Sequence, residues 1–211
     1  MLIDKKIAEF LNEVDSKSPA PGGGSVSSLA ASLGAALGGM VGHLTVGKIK
    51  FKALEEDTQN QFNQAFANLI IIKEDLLKYV DEDTESFNLF MAALGLPKET
   101  DEEKATRKQA MEDATLEAIK VPYKVAGASL KGLESLIDLV EHGNKTAISD
   151  IGIGGLLLHA GLEGAILNIK INLPGLSDEG VVNDYKEKCK TLKAEALVLK
   201  EQIIEAVERK L

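Results

Sequence analysis

Apolar residues recur at spacings of three and four along most of this chain, and strict alternation with polar residues never lasts long enough to make a strand. The clearest stripe lies within residues 54–93, where Phe62, Phe66, Leu69, Ile72, Leu76 and Val80 share one helical face before Gly95-Leu96-Pro97 ends the pattern. Ahead of it come a short amphipathic start over residues 2–14, a small-residue helix over residues 25–46, and a basic join around residues 48–52. Thr100 and Glu103 have capping-box spacing and open a helix that runs towards Pro122. A separate helix is expected from Pro122 to about Glu141, ended by His142-Gly143-Asn144. An Ile/Leu/Gly-rich helix follows over residues 146–169, and Leu173-Pro174-Gly175 turns the chain into a last helix starting near Ser177. In that helix Tyr185, Cys189, Leu192, Ala196, Leu199, Ile203 and Val207 form a near-heptad seam, so it should pack along another helix of this chain or of a partner. The expected fold is all-α: a single-domain bundle of long antiparallel helices over residues 1–211, with a glycine-rich loop before the second helix.

Composition narrows the function. At 211 residues and 45% hydrophobic the chain can bury one good core, and nothing marks a second domain. Twenty-four Lys and Arg against 33 Asp and Glu leave a net charge of -9, which opposes non-specific nucleic-acid binding; no basic patch with interleaved aromatics offsets it. A small anionic ligand stays compatible, because a helix terminus and one or two lysines suffice locally. The lone Cys189 has no disulfide partner, and Met1-Leu2-Ile3-Asp4 lacks the segments of a signal peptide, so a cytoplasmic location is expected. Residues 26–44 and 151–171 are apolar but interrupted, the first by serines, glycines and His43, the second by His159, Glu163, Asn168 and Lys170. They are expected as buried bundle helices rather than membrane spans.

The candidate chemistry starts at Pro19-Ala20-Pro21-Gly22-Gly23-Gly24-Ser25. The prolines stiffen the run, and Gly22, Gly23 and Gly24 leave peptide N–H groups uncovered beside a helix start for which Ser25 is the candidate N-cap. Such a place can hold a carboxylate, a phosphate or the polar edge of a heterocycle; a tight turn with close packing is the plain alternative. Asp83 shares a face with Phe87, and an acid among aromatics can have its pKa raised towards the range of a proton-transfer group, although three acids in one turn also describe a solvated face. Lys98 and Arg107 can lend positive charge to an anion. Asp150 has helix capping as its simplest explanation, and Asn168 among Ile166, Leu167 and Ile169 needs a partner, either across a helix crossing or on a ligand. The three histidines are far apart, and His159 with Glu163 is a weak pair, so no metal site is expected.

In combination these segments resemble the formiminotransferase-cyclodeaminase family, specifically its all-helical cyclodeaminase/cyclohydrolase domain. The resemblance is carried by Ser18-Pro19-Ala20-Pro21-Gly22-Gly23-Gly24-Ser25-Val26, by Asp83-Thr84-Glu85-Ser86-Phe87 leading to Leu96-Pro97-Lys98, by Arg107 and Pro122, and by Asn144, Ser149-Asp150 and Asn168-Ile169-Lys170-Ile171-Asn172-Leu173. It implies a stand-alone helical domain acting on a one-carbon adduct of tetrahydrofolate, with no metal or organic cofactor. Closure of 5-formiminotetrahydrofolate to 5,10-methenyltetrahydrofolate with release of ammonia is the activity expected first. Methenyltetrahydrofolate cyclohydrolase, or a non-catalytic folate-binding or scaffold protein, are the alternatives. The resemblance further implies a homodimer with the folate site near the subunit interface. It makes Asp83 the proton-transfer residue and places Gly22, Gly23, Gly24, Ser25, Phe87, Lys98, Arg107, Asp150 and Asn168 around the substrate.

Overall fold

The computed structural model describes all 211 residues, in seven α-helices joined by short turns, with no strand. In chain order the helices are α1 (Ile7–Val14), α2 (Gly23–Thr45), α3 (Ile49–Lys52), α4 (Glu56–Leu94), α5 (Asp101–Val140), α6 (Ile148–Asn172) and α7 (Glu179–Glu208). The all-α bundle expected from the periodicity is the architecture found.

Small side chains decide which helices touch most closely. A Cβ added to Gly34 on α2 would stand 2.6 Å from the Gly154 carbonyl oxygen of α6, and one added to Gly161 would stand 2.6 Å from the Ala31 Cβ. Only glycine at those two positions allows the α2 and α6 backbones to lie this close. Both helices are long and apolar enough to cross a membrane by composition, yet 61% and 50% of their apolar windows are buried inside the bundle. Each keeps an exposed apolar stripe on its outer side: Val26, Leu33 and Met40 on α2, Ile153, Leu156 and Leu167 on α6.

Around this pair, α4 and α5 run antiparallel, as the Gln61–Asp138 and Glu82–Lys124 pairings at 2.8 and 3.1 Å show. Phe62, Leu69 and Leu76 of α4 meet Ile119, Leu133 and Leu136 of α5 in one core with Leu158, Leu162 and Ile166 of α6. The seam of α7 is used within the chain: Cys189, Ala196 and Ile203 are buried, and Tyr185, Leu192 and Leu199 pack against the same core. Helix starts follow local chemistry. Thr100 and Glu103 exchange both capping-box bonds, at 3.2 and 3.0 Å, and Asp178 accepts from the Val181 N–H at 3.1 Å.

Two local expectations are overturned. The second helix starts at Gly23 with Gly22 as its N-cap, so Gly23 and Gly24 form its first turn instead of a loop, and Ser25 is not the cap. The Ser25 side chain is fully buried and faces α4, where it has stronger partners than its own helix end offers. The break at Pro122 does not occur either: α5 continues through it. Proline has no N–H for the carbonyl four residues back, here that of Ala118. Asn172 supplies the missing donor, with its Nδ2 3.4 Å from the Ala118 oxygen, while Pro122 itself is buried in the bundle.

This exchange is testable by a double-mutant cycle. Asn172→Ala should cost about 1–2 kcal/mol in urea unfolding, and clearly less in a Pro122→Ala background, where a backbone N–H returns to the Ala118 carbonyl. Equal costs in the two backgrounds would show that Asn172 does not replace the proline's missing donor.

Candidate active site

Three helices converge at the first turn of α2. Gly24 there is buried and lies so close to Asp83 of α4 that a Cβ at Gly24 would overlap the Asp83 carboxyl group. Ser25, fully buried, has its hydroxyl 3.0 Å from Asp83 Oδ2. On the other side, the Cβ position of Gly23 is 3.4 Å from Nδ2 of Asn168, near the end of α6. The Asn168 Nδ2 donates to the Gly164 carbonyl at 2.9 Å, and its Oδ1 takes no hydrogen bond from the protein. Gly23 is exposed and Gly22 and Asn168 are half-buried, so this side of the turn is open to a ligand.

The acids of the Asp81–Asp83 turn separate by direction. Asp81 Oδ1 accepts from the Leu2 N–H at 2.5 Å, Glu82 pairs with Lys124 at 3.1 Å, and Glu85 is exposed. Asp83 alone turns towards α2. Burial pushes its carboxyl above the usual carboxylate range, and the Ser25 hydroxyl and backbone N–H pull it partly back by bonding the ionised form. Placement at a helix N-terminus also favours the ionised form. Phe87 follows one turn later, half-buried.

Lys98 and Arg107 come together in a second place. With Phe90, Lys104, Lys108 and Met111 they line a recess of about 300 Å³ between the end of α4 and the start of α5. Arg107 Nε donates to the Leu94 carbonyl at 3.2 Å, which fixes its side chain against the helix end. Leu94 is eleven residues beyond Asp83, so the recess lies roughly 16 Å along α4 from the carboxyl. Glu112 at the recess is held well ionised by the Ser177 hydroxyl and N–H. The Lys104, Lys108 and Met111 contributions were not singled out from sequence, although Lys104 and Met111, three residues before and four after Arg107, share its face.

Asp150 is not part of either cluster. It lies in the first turn of α6, eighteen residues and roughly 27 Å before Asn168, at the opposite end of the bundle. Gly24 and Ser25, expected around the substrate, are buried within this chain and lie against the Asp83 carboxyl. The His159–Glu163 pair is 3.9 Å apart and not hydrogen-bonded; Glu163 is taken by Lys193 of α7 at 2.7 Å. No group of three or more His, Cys, Asp or Glu side chains has metal-binding geometry.

The packing at α2 distinguishes two adjacent glycines. Alanine favours a helix over glycine at either position, so any loss must come from contacts. Gly24→Ala should destabilise the protein by roughly 1–3 kcal/mol through overlap with Asp83. Gly23→Ala, which meets only the Asn168 amide edge, should be neutral or slightly stabilising. Equal thermal unfolding of the two variants would remove the Gly24–Asp83 contact from the site.

Comparison with known proteins gives this geometry a family. The formiminotransferase-cyclodeaminase family model matches residues 6–191. A methenyltetrahydrofolate cyclohydrolase of Methylorubrum extorquens is 34% identical over 98% of both chains. The formimidoyltransferase-cyclodeaminase of Gallus gallus is 37% identical over 92% of this chain, which spans 35% of that protein's length. The crystal structure of formiminotetrahydrofolate cyclodeaminase from Thermotoga maritima aligns with a TM-score of 0.85 at 25% identity, over 99% of this chain and 98% of that one. By sequence and by architecture, the chain belongs to the formiminotransferase-cyclodeaminase family.

Proposed function

We propose that this protein is a formiminotetrahydrofolate cyclodeaminase, with Asp83 relaying the proton that ring closure releases. The observation carrying this reading is the half-buried Asp83 carboxyl, its pKa raised by burial and its oxygen anchored at the first turn of α2 by the Ser25 hydroxyl. In the reaction, N10 attacks the carbon of the protonated formimino group on N5, a tetrahedral intermediate bearing an –NH2 group forms, and the positive charge ends on the methenyl product. The proton lost by N10 must reach the departing nitrogen for ammonia to leave. One carboxylate can take it and give it back, so atoms and charge balance without a metal or organic cofactor. The substrate already holds N10 near the carbon, which leaves the protein to orient the adduct and move the proton. Gly22, Gly23 and Asn168 line the open side of the turn and suit the polar edge of the pterin. The cationic recess at Lys98 and Arg107 suits the glutamyl carboxylates at the other end of the same molecule.

A second reading, methenyltetrahydrofolate cyclohydrolase, is favoured by the end-to-end match to the Methylorubrum extorquens enzyme. Water then replaces N10 as the nucleophile, and the same carboxyl serves. The two reactions are separated by an ultraviolet assay with each substrate in turn. Methenyl formation with stoichiometric ammonia is expected, and Asp83→Asn should lower kcat by about 10²–10⁴-fold. Hydrolysis of methenyltetrahydrofolate without turnover of the formimino compound would reverse the order. Folate binding without turnover of either would leave a binding protein, and a variant keeping more than half the wild-type kcat would remove Asp83 from the chemistry.

The site reading also includes a homodimer. With the α7 seam used inside the chain, the apolar stripes of α2 and α6 are the surface left for a partner copy, and Asp150 is then free to act across an interface. Light scattering at low micromolar concentration should give twice 22.6 kDa. A monomer mass with full activity would exclude an interfacial site.

A further inference from the structure

Two serines of α2 are fully buried against α4, and their surroundings differ. Ser28 has one acceptor, the Leu76 carbonyl at 2.6 Å, and is an ordinary helix-crossing bond. Ser25 has three partners: the Val80 carbonyl at 2.9 Å, Asp83 Oδ2 at 3.0 Å and the Thr84 hydroxyl at 3.3 Å. A hydroxyl has one proton to donate and lone pairs with which to accept. Ser25 therefore cannot donate to the Val80 carbonyl and to an ionised Asp83 together. When Asp83 is protonated the conflict vanishes, because the acid donates to Ser25 and Ser25 donates to Val80. In a helix the Val80 carbonyl has the Thr84 N–H as its regular partner, so it can lose the serine bond without being stranded.

We propose that Ser25 is a positioning residue whose hydroxyl turns from the Val80 carbonyl to Asp83 when Asp83 ionises, holding the carboxyl in one place through both halves of a proton transfer. The Ser25 proton stays on its own oxygen throughout; only the O–H direction changes. The proton that Asp83 carries comes from substrate and returns to substrate. This rests on the proposed role of Asp83 as the proton-transfer group.

The surroundings leave Ser25 as the chief control. The first turns of α2 carry no charged side chain, and the α6 residue at this level is the neutral Asn168. On α4, Asp81 is turned to the Leu2 N–H and Glu82 to Lys124, while Glu85 is exposed. Burial and Ser25 are the influences that act on Asp83, with no charged neighbour among them. Because Ser25 is enclosed, substrate does not touch it, and its effect must pass through Asp83. That separates it from Asn168 and Gly23, which border the open side.

The test follows Asp83 directly. In folate-free protein labelled with carbon-13 at the aspartate carboxyls, Asp83→Asn identifies the Asp83 signal, and its titration midpoint is read in each variant. Ser25→Ala should raise that midpoint by about one pH unit, a tenfold change in the ionisation constant. On the substrate that is turned over, it should lower kcat by about tenfold with KM within about twofold, and move the pH–rate limb by the same amount. Ser25→Thr, which keeps the hydroxyl, should restore the midpoint. Thr84→Val should leave it near the wild-type value. An unmoved midpoint in folded Ser25→Ala protein overturns the proposal, as does an equal shift in Thr84→Val. A shifted midpoint in a protein that turns over neither substrate keeps the Ser25–Asp83 coupling and removes the catalytic reading instead.

Discussion

The close approach of α2 to α6 is the constraint on which the rest of the molecule depends. Gly34 meets the Gly154 carbonyl and Gly161 meets Ala31, and these contacts leave no room for side chains between the two backbones. Such packing has two consequences. It makes the α2 side of this contact from small residues, so the bulk of the core comes from α4, α5 and the other faces of α6, with Phe62, Leu133, Leu136, Leu158 and Leu162. It also fixes the start of α2 relative to the end of α6, which brings Gly23 to Asn168. A site at a helix terminus gains precision when the helix itself cannot slide.

Electrostatics at the site are arranged by exclusion as much as by charge. The protein carries a net charge of -9, yet its proton-transfer candidate has no charged neighbour acting on it. Four basic side chains are gathered instead at the far end of α4, in the Lys98–Arg107 recess. For the acidic substrate proposed above, such local focusing offsets an overall field that opposes association. These cations lie about 16 Å from Asp83 along α4, so on the proposed reading binding charge and proton transfer are separated along one helix.

Family membership and reaction are decided at different levels. The proposed role of the carboxyl fits attack by N10 and attack by water alike, since both need a proton moved at the same carbon. A relative named for each activity matches this chain over nearly its whole length. On the proposed reading, selection between the reactions lies in how the adduct sits over the open side of the α2 turn and in whether water reaches the carbon.

Helices, most of their ends and the apolar seam of α7 were legible in the sequence, because periodicity and capping are local and need only a few neighbouring residues; that the seam packs inside the chain was not. Asp83 could also be picked out, from its position on the Phe87 face. Pro122 could not be read correctly, since the donor that lets α5 continue comes from Asn172, fifty residues on. Ser25 looked like a cap for its own helix, and only the crossing of α4 showed that its hydroxyl belongs to Asp83. Asp150 was grouped with the site by motif, whereas helix length carries it to the other end of the bundle. The chain by itself therefore determined which segments are helical and which residue types are available for chemistry. The tertiary structure decided which of them meet, because contacts across helices depend on crossing distances set by small residues elsewhere, and no local pattern records those distances.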